Sequence, residues 1–115
     1  MHAADARECL LSQTGAGEET PFGPDVLVYK VGGKMFATLA FEGDSPRMNL
    51  KCDPDRALEL RAEHEEIVPG YHMNKKHWNT VILDGRLPAE LVRELVEHSH
   101  ALVVAGLPKS ARPAS

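Results

Sequence analysis

The 115-residue sequence predicts an α+β fold, a two-layer sandwich of an antiparallel sheet with helices packed on one face. Three observations lead there. Apolar residues alternate with period two through residues 25–41 and again through 47–52. Leu91, Val92, Leu95, Val96, Leu102 and Val103 recur at helical spacing and form one broad stripe near the C-terminus. The helix candidates flank runs of strands instead of alternating with them, which argues against a parallel βαβ sheet.

Residues 3–13 read as a helix with Ala6, Cys9 and Leu10 on one side. Thr14 to Pro24, rich in Gly, Pro, Glu and Thr, reads as a loop. Asp25–Val31 and Lys34–Phe41 read as strands joined by Gly32-Gly33, because glycine accepts the positive φ that a tight primed turn requires. In such a hairpin Val31 faces Lys34 and Lys30 faces Met35. Strict alternation then expects Val26, Val28, Met35, Ala37, Leu39 and Phe41 on the core side. Leu27, Tyr29, Lys34, Phe36 and Thr38 are expected outside.

A turn at Glu42-Gly43-Asp44-Ser45 leads to a strand over Arg47–Cys52. Here Met48, Leu50 and Cys52 point inward and Arg47, Asn49 and Lys51 outward. Asp53-Pro54-Asp55 is a helix start: Asp53 caps, Pro54 suits the first turn, and Asp55 favours the positive end of the dipole. That helix runs to about Glu63, with Ala57, Leu58, Leu60 and Arg61 supplying its apolar side. Ile67-Val68 and His77–Leu83 are short strands. Asp84-Gly85 turns the chain, Pro88 opens the last helix, and Gly106 closes it. The domain is expected to span residues 1–110 with a frayed tail at 111–115; the prolines and serines after Pro108 suggest the fraying. No internal repeat is present.

A net charge of −4 counts against a generic, charge-driven nucleic-acid binder. The charge is unevenly placed, however. Residues 53–66 are strongly acidic, whereas residues 69–80 hold two lysines, two histidines and no acid. Cys9 and Cys52 lie far apart without a CxxC pair, so a reduced, cytoplasmic setting is the expectation. The first residues lack the apolar core of a signal peptide, and no run is long and apolar enough for a membrane span.

Six histidines invite a metal reading, but their spacing does not support one. His72 and His77 are separated across a loop, and His98 and His100 diverge on a helix. No metal and no cofactor is expected. Neither cysteine has a sequence-adjacent base, and no acid, base or nucleophile set stands out, so the chain is not expected to be an enzyme. Gly32-Gly33-Lys34 lacks the first glycine and the following Ser/Thr of a phosphate loop.

The candidate site is the segment Pro69-Gly70-Tyr71-His72-Met73-Asn74-Lys75-Lys76-His77-Trp78-Asn79-Thr80. Lysines neutralise phosphates, asparagines bond to bases or phosphates, and aromatic rings stack or wedge. Outward strand residues Lys34, Arg47, Asn49 and Lys51, with Tyr29 and Phe36, would extend this patch over an open sheet face. The plain alternative is structural: Trp78 plugs the edge of the core, Pro69-Gly70 sets a turn, and Lys75-Lys76 is solvated.

Three blocks carry a resemblance: Lys30-Val31-Gly32-Gly33-Lys34-Met35-Phe36-Ala37, Asn49-Leu50-Lys51-Cys52-Asp53-Pro54, and the segment 69–80. In that order they resemble the MmcQ/YjbR-like family of small bacterial proteins, over roughly residues 5–112. Ser99, Leu102-Val103 and Gly106-Leu107 fit the same pattern, with His100 standing where the family often has an aromatic residue. The resemblance implies a fold like that of CyaY, the bacterial frataxin, and a DNA-binding role through a double-wing arrangement of sheet and loops. It supplies no catalytic residues, and the acidic ridge that would serve frataxin-like iron handling is not matched.

The expectation is therefore a non-enzymatic cytoplasmic protein that binds DNA through Lys34, Lys51, His72, Asn74, Lys75, Lys76, His77 and Trp78. The alternative is a module that docks another protein or a small ligand on the same surface. No membrane partner is expected, and the oligomeric state is left open.

Overall fold

The computed structural model describes residues 1–41 and 43–113. In chain order the elements are α1 (Ala3–Leu11), β1 (Gly17–Glu19), β2 (Val26–Val31), β3 (Lys34–Ala40), β4 (Arg47–Lys51), α2 (Pro54–Glu63), β5 (Ile67–Pro69), β6 (Trp78–Ile82) and α3 (Ala89–Ala105), followed by a 3₁₀ turn at Lys109–Ala111. The sheet has six strands in the order β1-β2-β3-β4-β6-β5, and every pairing is antiparallel. Residues from all three helices and one sheet face share a single buried cluster, including Leu10, Tyr29, Leu39, Met48, Leu50, Leu60, Val81, Leu95 and Val96. The α+β architecture is the one expected, and among the described residues the other sheet face carries no helix.

The β2–β3 hairpin corrects one expectation. Gly32 and Gly33 both take positive φ, and Lys30 faces Met35 as anticipated. The register then slips by one residue between Tyr29 and Lys30, so that Tyr29 pairs with Ala37 and Leu27 with Leu39. A bulge of one residue exchanges the faces of everything beyond it. Ala37 and Leu39 stay on the core side, but their partners there are Tyr29 and Leu27 instead of Val28 and Val26. Tyr29 and Phe36, assigned to the open patch, are fully buried in the core. Phe41, expected in the core, is 46% exposed, and Val26, Met35, Leu91 and Leu102 are only half-buried.

Strand β1 lies in the segment read as a loop. Its sequence, Gly-Glu-Glu, has no strand propensity; tertiary partners hold it. Arg7 of α1 grips Glu18 with two hydrogen bonds of 2.8 and 2.9 Å, and the Tyr29 hydroxyl donates to the same carboxylate at 2.7 Å. These bonds hold Glu18 below the ordinary carboxylate range, the Arg7 guanidinium contributing most. Burial, reinforced by the Glu18 carboxylate, raises the Tyr29 phenol.

Helix α2 starts as its sequence dictates, with the Asp53 carboxylate accepting from the Arg56 amide at 3.1 Å. Its buried residues are Ala57 and Leu60; Leu58, placed on the apolar side from sequence, is 62% exposed. Ser99 of α3 is fully buried and sits where β3 and β4 part company beyond the Ala37–Leu50 pair. Its hydroxyl accepts from the Lys51 amide at 2.8 Å and donates to the Phe36 carbonyl at 2.6 Å. A helix side chain thus bridges β3 and β4 past their last pair, satisfying two backbone groups that burial would otherwise penalise.

His98 and His100 have structural partners. The Asp53 amide donates to the His98 ring at 3.2 Å. His100 bonds to the Thr14 carbonyl at 2.8 Å and packs edge-on against Phe36 with ring centroids 5.2 Å apart, so it makes an aromatic contact itself. In the tail, Arg112 donates to the Leu107 carbonyl at 3.0 Å, and Pro113 packs beside Gly15. The described tail is docked as far as Pro113. Residues 114–115, like Glu42 of the expected turn, lie outside the described residues.

Candidate nucleic-acid interface

The segment 69–80 connects β5 to β6, and most of its polar groups first serve the loop itself. Gly70 closes the root, its amide donating to the Trp78 carbonyl at 2.9 Å. A β-carbon there would stand 2.8 Å from the Trp78 Cβ and 2.9 Å from its carbonyl oxygen, so the close approach needs glycine. The Asn74 side chain accepts from the Lys76 amide at 2.9 Å, an Asx turn, and its carbonyl accepts from the His77 and Trp78 amides. His72 holds a left-handed backbone, φ 58°, with its ring 4.0 Å from that of Tyr71. For a residue with a β-carbon this conformation costs about 1–2 kcal/mol.

Two neighbouring residues tie the loop to opposite sides of the sheet. Thr80 points to the open face, where it accepts from the Tyr71 amide at 2.9 Å and donates to Asn49 at 2.5 Å. Asn79 points to the helix face, where it accepts from Arg61 of α2 at 2.7 Å. The same guanidinium donates to the carbonyls of Lys75 and Trp78. The first half of the loop therefore leans over the open face, and the second half is drawn toward α2.

This divides the eight residues expected to act together. Lys75 and Lys76 line a cleft with Pro54, Asp55, Leu58 and Arg61. Lys34 and Lys51 line another cleft with Met35 and the C-terminal residues of α3, Leu102, Val103 and Gly106. Exposed His72 and Asn74 sit in the loop, and half-buried His77 and Trp78 form its root. Lys51 stands directly across the strands from Trp78.

The open face adds Arg47 and Asn49, whose outward direction was legible from alternation with Met48 and Leu50. Along one row, Val28, Thr38, Asn49, Thr80 and Val68 follow one another across five strands. Arg61 escaped sequence reasoning because its partners stand 14 to 18 positions away with no local pattern linking them.

Among the described residues the ion pairs engage Arg7, Lys30, Arg56 and Arg86, and none engages Lys34, Lys51, Lys75 or Lys76. Cys9 and Cys52 carry free thiols, and burial raises both above their ordinary value, which makes them poor nucleophiles at neutral pH. Among the described residues no three His, Cys, Asp or Glu side chains gather as a metal ion would require. No helix among them is long and apolar enough to cross a membrane.

Comparison with known proteins places this architecture. The YjbR family model matches residues 11–102. The uncharacterised protein YbdF of Escherichia coli O157:H7 is 44% identical over 89 residues, which cover 77% of this chain and 73% of that protein. The uncharacterised protein YjbR of Escherichia coli K12 is 39% identical over 83 residues, covering 72% and 70%. Among solved structures, Deinococcus radiodurans protein DR2400, of the domain family DUF419, superimposes with a TM-score of 0.87 at 42% identity, covering 96% of this chain and 84% of that one. A Pseudomonas syringae protein gives a TM-score of 0.78 at 29% identity, covering 89% and 98%. With a family match over most of its length and relatives at this identity, the chain belongs to the YjbR family.

Proposed function

We propose that this protein is a non-enzymatic, cytoplasmic DNA-binding protein whose interface is the helix-free face of the sheet together with the tip and root of the 69–80 loop. One observation carries the reading: the five strands β2–β6 carry only basic charge, while the edge strand β1 adds Glu18, bonded to Arg7 of α1, and Glu19, paired with Lys30 at 3.0 Å. Strands β2–β6 contain Lys30, Lys34, Arg47 and Lys51 and no acid, whereas α1–α3 contain eight acids and four arginines. A net charge of −4 is compatible with polyanion binding when strands β2–β6 hold no acid.

Arg47 and Lys51 supply phosphate contacts, Asn49 a bond to base or phosphate, and Trp78 and Tyr71 rings for stacking. Tyr71 is 54% exposed, which leaves a face of its ring accessible to a base. The left-handed His72 is consistent with a loop shaped for recognition at some cost in stability.

An NMR titration of labelled protein with mixed-sequence duplex and single-stranded DNA, at low and physiological salt, tests the proposal. Shifts are expected at Arg47, Asn49, Lys51, Tyr71, Trp78 and Thr80, weakening steeply with salt. Absence of binding at low salt, or shifts confined to the helix layer, would overturn it.

A further inference from the structure

The cleft between α2 and the second half of the 69–80 loop is a surface separate from the helix-free face of the sheet. Its floor is apolar, formed by Pro54 and the exposed Leu58. Lys75 and Lys76 form the opposite wall of this space of about 190 Å³, and Asp55 stands on the helix rim. A singly exposed leucine needs no explanation. Here it is combined with two lysines that form no ion pair among the described residues. The lysines are presented by a fixed scaffold: Arg61 bonds to the carbonyl of Lys75 and to Asn79, and the Lys75 ammonium donates to the Gly70 carbonyl at 3.2 Å. A preformed wall of this kind loses little entropy on binding.

We propose that this cleft docks a short extended segment of a partner protein, in which an apolar side chain lies beside acidic residues. The apolar side chain covers Leu58 and Pro54, and the carboxylates meet Lys75 and Lys76. Asp55 repels an acid on the far side, so the segment binds in one direction, its acidic part toward the loop. A nucleic-acid strand fits less well, because it would bring phosphate against Asp55 and leave the leucine uncovered.

The probe is a blocked, fluorescein-labelled peptide of ten residues with three glutamates preceding a leucine–phenylalanine pair; in the control peptide the glutamates are lysines. Binding to the full chain is read by anisotropy and by NMR shifts. The acidic peptide should shift Leu58, Arg61, Lys75 and Lys76, and the control should not. K75E together with K76E should weaken binding about ten-fold or more, as should Leu58→Asp, with melting temperatures unchanged. Leu58→Asp should leave DNA shifts on the sheet face in place, which separates this proposal from the DNA reading. No shift at millimolar peptide, or unchanged affinity in folded K75E/K76E, overturns it. So does an oligonucleotide that shifts these residues more strongly than the peptide, which identifies a nucleic-acid surface. Self-association abolished by K75E/K76E overturns it in favour of a second copy of the chain.

Discussion

The two faces of the sheet treat polar side chains differently. On the helix-covered face they bridge layers: Glu18 joins β1 to Arg7 of α1 and to Tyr29 of β2, Asn79 holds Arg61 of α2, and Ser99 of α3 completes the ladder between β3 and β4. On the open face Thr80 and Asn49 bond to each other within the sheet, and Lys51 extends from it without an ion pair among the described residues. Polar groups on the covered face are constrained by folding, because burial penalises any that lack a partner. On the open face buried Thr38 and Thr80 answer to the same rule, whereas exposed Arg47 and half-buried Lys51 are free of it, so their identity can answer to a ligand.

This contrast makes the covered face the place of largest loss. Leu95, 4% exposed in the shared core, should cost about 2–5 kcal/mol on replacement by alanine, through lost transfer energy and a residual cavity. A denaturant melt showing a loss below about 0.5 kcal/mol, the range of surface substitutions, would mean that the α3 stripe faces solvent.

Ser99→Ala comes next. It strands the Lys51 amide and the Phe36 carbonyl and should destabilise by about 1–3 kcal/mol. Faster hydrogen exchange at the Lys51 amide would locate the effect; unchanged exchange would mean that the bridge contributes nothing.

The open face should behave in the opposite sense. Arg47→Ala with Lys51→Ala should change stability by less than about 0.5 kcal/mol yet flatten the log K against log salt slope for DNA by roughly 1.8. An unchanged slope in a folded variant would remove these two residues from the interface.

The smallest effect concerns pH. The folded-state value of Glu18 is depressed, so its contribution is full above about 4.5, its ordinary value, and is lost as pH falls through the depressed value. Glu18→Gln should therefore make acid-side unfolding less steep while lowering stability near neutrality. Parallel acid-side curves for the two proteins would show that the Arg7–Glu18–Tyr29 cluster adds no pH dependence.

Local signals in the chain were sufficient for most elements. Asp53-Pro54 capped α2 because its side-chain oxygen lies within three residues of the amide it accepts from. Gly32-Gly33 made the hairpin because only φ at those two positions mattered. The outward set Arg47, Asn49 and Lys51 followed from alternation in an unbulged strand. Strand β2 was reversed because nothing in Tyr29-Lys30 or Met35-Phe36 announces the slipped register. Strand β1 was missed because its pairing depends on Arg7 and Tyr29, neither of which is nearby in sequence. The loop 69–80 stood out by composition, but its division between two sides of the sheet did not.

By itself, then, the sequence determined the fold class, the helix ends, the tight turns, the family and the acid-free, basic and aromatic composition of segment 69–80. Those features depend on backbone preferences and on hydrophobic period, which act over a few residues. Only the tertiary structure decided which face of β2 is buried, which lysines share a surface, and which polar groups already have partners. Each of these depends on long-range contacts, such as Arg61 with Lys75 and Ser99 with Phe36, whose ends are brought together only by the packing of the helices on the sheet.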